Sequence, residues 1–190
     1  MNLSAGKLLG LRRLADESGR FKIVAVDQRP PIQNEIKSSF GSDEAPWEDV
    51  AEVKRVLAEN LAEESSELLM DPLFAWPAAH SVLRHDQGLM LTLEHAVFDE
   101  TPRGRYSKVI PDWSVSKIKR TGADGVKLLA WYRPDSGGEV LTHQKNFVRQ
   151  ISEECIRYDI PFPLELIVYP FPDEKGELLK KKNLNGGWKA

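Results

Sequence analysis

Lys22-Ile-Val-Ala-Val-Asp-Gln-Arg-Pro-Pro31 is an apolar run of strand length that closes on polar residues and two prolines. A first strand-to-helix turn of this composition lacks the glycine fingerprint that cradles a pyrophosphate, which argues against a dinucleotide-binding fold. Runs of the same texture recur at 66–70, 88–93, 125–130 and 162–168. Each is nearly continuous in apolar character, as strands covered on both faces are. Helical texture separates them. Residues 48–64 carry Val50, Val53, Leu57 and Leu61 on one predicted face, and residues 139–158 carry Phe147, Ile151, Cys155 and Tyr158. Pro46 falls where a first-turn proline would. Asp112 is expected to cap a shorter helix that runs to Lys119 and is stopped by Gly122. The first 19 residues mix charge with short apolar steps and predict an amphipathic helix rather than a signal peptide.

Alternating strands and helices predict an α/β fold with a parallel sheet. The first run starts at 22 and the fifth at 162, so one strand–helix unit takes about 35 residues. Eight such units would need about 280 residues, the usual size of a (β/α)8 barrel. The chain has 190. It is therefore expected to hold an incomplete TIM barrel of five βα units over residues 1–176. Residues 177–190 hold four lysines and two adjacent glycines and give no strand signal; Lys180, Lys181, Lys182 and Lys189 read as a solvated charge run.

Composition narrows the function classes. The apolar share of 41% and charged share of 29% are those of a globular protein. A net charge of −3 argues against nucleic acid or an anionic membrane as the main partner. No apolar run approaches the ~18 residues of a membrane span. The lone Cys155 fits a reducing cytoplasm and a place in the core. His80, His85, His95 and His143 show no metal-ligand spacing, so no metal is expected. Trp76, Trp113 and Trp131 read as packing residues.

Polar groups sit at the ends of these strands: Asp27, Asp71, Glu94 and Glu165, with Lys127 inside the fourth run. In a barrel, the C-terminal strand ends face the active site. A charge within an apolar strand is costly unless it is paired or faces a polar cavity. Arg29, Arg103 and Arg105 are candidates for phosphate, whose geometry a guanidinium matches bidentately.

Ordered motifs give these residues a family context. Ala25-Val-Asp-Gln-Arg29, Glu67-Leu-Leu-Met-Asp-Pro72, Leu91-Thr-Leu-Glu94, Thr121-Gly-Ala-Asp-Gly-Val-Lys-Leu-Leu129 with Tyr132, and Pro161-Phe-Pro-Leu-Glu-Leu166 resemble the tagatose-1,6-bisphosphate aldolase family. Gln144-Lys145 and Glu154-Cys155 also fit its pattern, and the similarity runs from about 14 to about 173. Sulfofructosephosphate aldolases are relatives with a similar first-strand motif.

The resemblance implies a (β/α)8 barrel that cleaves a ketose bisphosphate to dihydroxyacetone phosphate and glyceraldehyde 3-phosphate through a lysine Schiff base, with no cofactor. It assigns Asp27 to proton transfer, Glu165 to the acid/base that dehydrates the carbinolamine, and Lys127 to a second active-site cation. Gln28, Arg29 and Glu94 take substrate-binding positions. The family's Schiff-base lysine lies on a sixth strand, for which this sequence gives no signal. The chain alone is therefore expected not to cleave a ketose bisphosphate. The alternatives are a non-catalytic sugar-phosphate-binding fragment or a subunit completed by a partner chain, and a sulfofructosephosphate aldolase or a transaldolase-like enzyme whose Schiff base forms on Lys127; the expected assembly is a homo-oligomer or a pairing with a chain that supplies strands six to eight.

Overall fold

The computed structural model describes residues 3–174. In chain order it contains α1 (Ala5–Leu14), β1 (Ile23–Ala25), α2 (Pro30–Phe40), α3 (Trp47–Leu61), β2 (Glu67–Met70), α4 (Ala75–Ala79), β3 (Gly88–Thr92), β4 (Asp99–Thr101), β5 (Gly104–Tyr106), α5 (Val115–Arg120), β6 (Gly125–Trp131), α6 (Gly138–Arg157) and β7 (Leu164–Ile167). Strands β1, β2, β3, β6 and β7 form one parallel sheet in that order, as the five apolar runs predict. Strands β4 and β5 form a separate antiparallel hairpin, inserted after β3.

The sheet curls. Asp27 follows β1 and Lys127 lies on β6, three strand positions away, which would be about 14 Å across a flat sheet. Their side chains meet at 3.0 Å, so the five strands bend into part of a barrel wall. Outward-facing Leu68, Met70, Leu89, Leu91, Val126 and Leu128 pack under the helices, against Ala58, Ala75, Ile118, Phe147 and Ile151. Inward-facing Leu69 and Met90 meet Leu14 at the end of α1. Both sheet faces are thus covered, which is why the runs show no alternation. Among the described residues, no helix is long and apolar enough to cross a membrane.

Helix α1 closes the N-terminal end of the strands and approaches closely because Gly88 opens β3. A Cβ there would lie 2.6 Å from the Arg13 carbonyl oxygen and 2.9 Å from the Leu14 Cα. Gly88→Ala is expected to cost about 1–3 kcal/mol through overpacking, measured as a lower urea midpoint with an unchanged m-value.

Four expectations need correction. Helix α3 buries Val50, Ala51, Lys54 and Ala58, while Val53, Leu57 and Leu61 are exposed. The period is right but the phase is rotated, because small alanines let α3 approach the sheet and Lys54 is drawn inward by Asp71. Pro46 is the N-cap of α3, just outside its first turn. Asp112 does not cap α5; it takes a left-handed φ of 56°, and the Ser114 hydroxyl accepts the Lys117 N–H instead. Pro30 and Pro31, which read as a turn, occupy the first turn of α2, where a missing N–H costs nothing. Cys155 is in the core as expected, and burial pushes its thiol up to about 12. The predicted tail and its boundary near 176 lie outside the described residues.

Candidate active site

The parallel register brings the strand-end residues together. Lys127 on β6 is flanked by three carboxylates: Asp27 Oδ2 at 3.0 Å, Glu94 Oε1 at 2.8 Å and Glu165 Oε2 at 3.3 Å. Asp27, Glu94 and Lys127 are buried, while Glu165 is half exposed to the cavity. The Thr92 hydroxyl donates to the same Asp27 oxygen at 3.0 Å. No described residue donates to Asp27 Oδ1. Glu94 is held at its other oxygen by the Leu129 N–H, at 3.0 Å.

Electrostatics fix the charge states. Burial alone would lower the Lys127 ammonium, but Glu94 and Asp27 outweigh it and raise its pKa above the ordinary lysine value. Burial pushes the Glu94 carboxyl up, while Lys127 and the Leu129 N–H pull it back. With three carboxylates facing one ammonium, the amine of Lys127 stays protonated.

Arg29 reaches the same cluster from the turn after β1. Its Nη2 donates to the Glu94 carbonyl at 3.1 Å and lies 3.9 Å from the Glu94 carboxylate. Its Nε and Nη1 are buried and have no partner among the described residues. The cavity has a volume of about 580 Å³; Gln28 and Arg29 line it on one side, and Leu129 and Trp131 on the other. All six site residues read from the sequence, namely Asp27, Gln28, Arg29, Glu94, Lys127 and Glu165, line this one cavity.

The structure moves other candidates elsewhere. Arg105 does not face the cavity. Its guanidinium lies over the rings of Phe98, Trp131 and Tyr169 at 4.2, 4.5 and 4.6 Å, with Glu100 at 3.0 Å. This cage pins the β4–β5 hairpin onto the ends of β6 and β7. Arg103 is exposed on that hairpin. Trp131 packs against Phe98 as expected and also lines the cavity. Thr92 and Lys54 were not singled out by the sequence reading. Thr92 lies within Leu91-Thr-Leu-Glu94, and Lys54 gives no signal of its own, because the larger Val53 and Leu57 outweigh it in the period of α3.

The profile of the DeoC/LacD family aldolases matches residues 21–184. Tagatose 1,6-diphosphate aldolase of Streptococcus pneumoniae is 33% identical over 175 residues, covering 92% of this chain and 52% of that protein. The protein of the same name from Listeria monocytogenes serotype 4a is 34% identical over 170 residues, 89% of this chain and 49% of that one. The chain spans about half the length of the curated relatives it matches. A crystal structure of an archaeal fructose 1,6-bisphosphate aldolase aligns with 94% of this chain and 67% of its own, at a TM-score of 0.47 and 15% identity.

Proposed function

The chain belongs to the DeoC/LacD aldolase family, and from that premise we propose that its cavity is the acid/base side of a class I aldolase site for a ketose 1,6-bisphosphate of the tagatose or fructose type. The observation that carries this reading is Lys127 held by Asp27, Glu94 and Glu165 at the C-terminal strand ends.

In this reading a lysine amine outside the described residues adds to the ketose carbonyl. Glu165, open to the cavity, protonates the carbinolamine hydroxyl, which leaves as water and gives the iminium. A carboxylate then takes the C4 hydroxyl proton. The C3–C4 bond breaks, its electron pair passes into the iminium to give an enamine, and glyceraldehyde 3-phosphate departs. Proton return and hydrolysis release dihydroxyacetone phosphate. Asp27 Oδ1, to which no described residue donates, is the oxygen we assign to this step. Lys127 serves as a fixed cation that keeps the carboxylates in place. Its three carboxylate neighbours hold it as ammonium, which counts against the transaldolase-like alternative. Gln28, Arg29 and Glu94 would meet substrate hydroxyls or phosphate.

A second reading, a sugar-phosphate-binding subunit completed by a partner chain, draws on the two edge strands. Among the described residues, β1 and β7 each pair on one side only, and they expose Ile23, Leu164 and Leu166. Open edges of this kind recruit partners.

One assay separates the two: release of dihydroxyacetone phosphate from tagatose and fructose 1,6-bisphosphates, by the chain alone and mixed with the C-terminal half of a curated relative. We expect release in the mixture that falls about 10²–10⁴-fold in Glu165→Gln. No release in either arm, with the intact relative active in parallel, would overturn the aldolase reading.

A further inference from the structure

We propose that Lys54 is a positioning residue for the acid/base cluster: its buried side chain ties the ends of β1 and β2 together behind the cavity and so fixes Asp27 against Lys127. The inference rests on the reading of Asp27 and Lys127 as working groups. Lys54 and Asp71 are both completely buried. The Lys54 Nζ donates to Asp71 Oδ2 at 2.5 Å and to the Val26 carbonyl at 2.7 Å. Val26 is the residue before Asp27. Asp71, just past β2, is itself locked: its carboxylate accepts the backbone N–H groups of Leu73, Phe74 and Ala75.

Strand geometry explains why such an anchor is needed. Strand β1 is three residues long and pairs on one side only among the described residues. Its last backbone bond to β2 is the Val26 N–H to the Leu69 carbonyl, at 2.9 Å. Beyond it the chain turns toward α2, and the Val26 carbonyl goes to Lys54 rather than to a strand. A buried ion pair adds little net stability over an apolar pair of the same shape. What this pair does supply is a fixed carbonyl next to Asp27, 3.0 Å from whose carboxylate the Lys127 ammonium sits. Lys54 thus acts through Val26 and touches neither Lys127 nor the cavity.

The test reads Lys127 directly and needs no aldolase activity. Reductive methylation with formaldehyde and cyanoborohydride, followed by peptide mass mapping, reports the neutral-amine fraction of each lysine; half-exposed Lys108, paired with Asp99, is the internal standard. Two neutral double variants are compared with the wild type and with Asp27→Asn. Lys54→Met/Asp71→Asn removes the donor to Val26, whereas Lys54→Gln/Asp71→Asn keeps an amide donor with the same charge. Circular dichroism checks the fold of each.

Asp27→Asn is expected to speed Lys127 methylation about tenfold, equivalent to a one-unit fall in its pKa. The methionine variant is expected to speed it about threefold or more and the glutamine variant less, with Lys108 unchanged. If the methionine variant does not fold, a glutamine variant near the wild-type rate supports the proposal, and one as fast as Asp27→Asn overturns it. Equal acceleration in both double variants overturns it too, since charge alone would then account for the effect. An unchanged rate in the methionine variant, with Asp27→Asn accelerated, assigns Lys54 to stability only. An unchanged rate in Asp27→Asn overturns instead the underlying reading of the Asp27–Lys127 pair.

Discussion

Lys127→Met is expected to lower the stability of the fold by about 3–5 kcal/mol at pH 7, the cost of removing one partner from a buried ionic cluster. Methionine fills nearly the same volume, so lost packing contributes little. What changes is charge. Asp27 and Glu94 are buried beside the ammonium, and Glu165 lies on its open side. Without Lys127 the carboxylates repel each other, and the described cations that remain are Arg29, at 3.9 Å from Glu94, and Lys54 behind Asp27.

The sign with pH follows from the direction of the Lys127 shift. Its folded pKa is raised above the lysine value of 10.5. The stability it contributes is fully present below 10.5 on its own account and is lost only as pH rises through the folded value. Glu94 acts in the other direction: burial raises its carboxyl pKa, so it takes up a proton as pH falls, and the variant's deficit should shrink. Urea denaturation of wild type and variant at pH 4.5 and 8 measures this. A deficit below about 1 kcal/mol at pH 8, the worth of a surface pair, would mean that water screens the cluster despite the burial of Asp27, Glu94 and Lys127. The same variant removes the cation that organises Asp27 and Glu94, so any activity of the completed site should fall with it.

Much of this architecture is legible in the sequence because sterics and burial act locally. Apolar runs of strand length with no alternation, separated by helical segments, fit strands covered on both faces, and a polar residue closing each run marks one end of the sheet. Asp27, Glu94, Lys127 and Glu165 therefore reach one cavity. The sequence does not say which of them pair, because that depends on curl and stagger. Arg29 over Glu94 and Thr92 on Asp27 are contacts across 65 residues.

Other features fail for identifiable reasons. The β4–β5 hairpin has two three-residue strands with no apolar alternation. What holds it is Arg105 among three rings contributed by separate segments. On α3 the larger Val53, Leu57 and Leu61 outweigh alanine in any reading of period, yet alanine and Lys54 face the sheet. A buried lysine looks like a surface lysine until its partner Asp71 is known.

Glu67→Gln is expected to reverse a pH-dependent weakness at the other end of the barrel wall. Glu67 opens β2 on the inward face, on the same side as Leu69, and is fully buried. Neither carboxylate oxygen has a hydrogen-bond partner among the described residues. Burial, reinforced by the nearby Asp124 carboxylate, pushes its pKa from 4.5 up to about 7. An acid with a raised folded pKa binds more protons folded than unfolded between those two values. Stability therefore falls as pH rises from 4.5 through 7, and the deficit levels off above 7. A shift of this size corresponds to about 3 kcal/mol. Glutamine keeps the shape and cannot ionise, but its amide is also buried without a partner, at a cost of about 1–3 kcal/mol. The variant should accordingly match or fall below wild type at pH 4.5 and exceed it by about 1–2 kcal/mol at pH 8. Urea midpoints at half-unit steps from pH 4.5 to 8.5 give the difference curve, in which contributions common to both proteins cancel. Two parallel curves would show that Glu67 titrates as an ordinary solvated glutamate. Curves that cross near neutral pH would show that an unpaired carboxylate in the strand layer above α1 sets the upper pH limit of the fold.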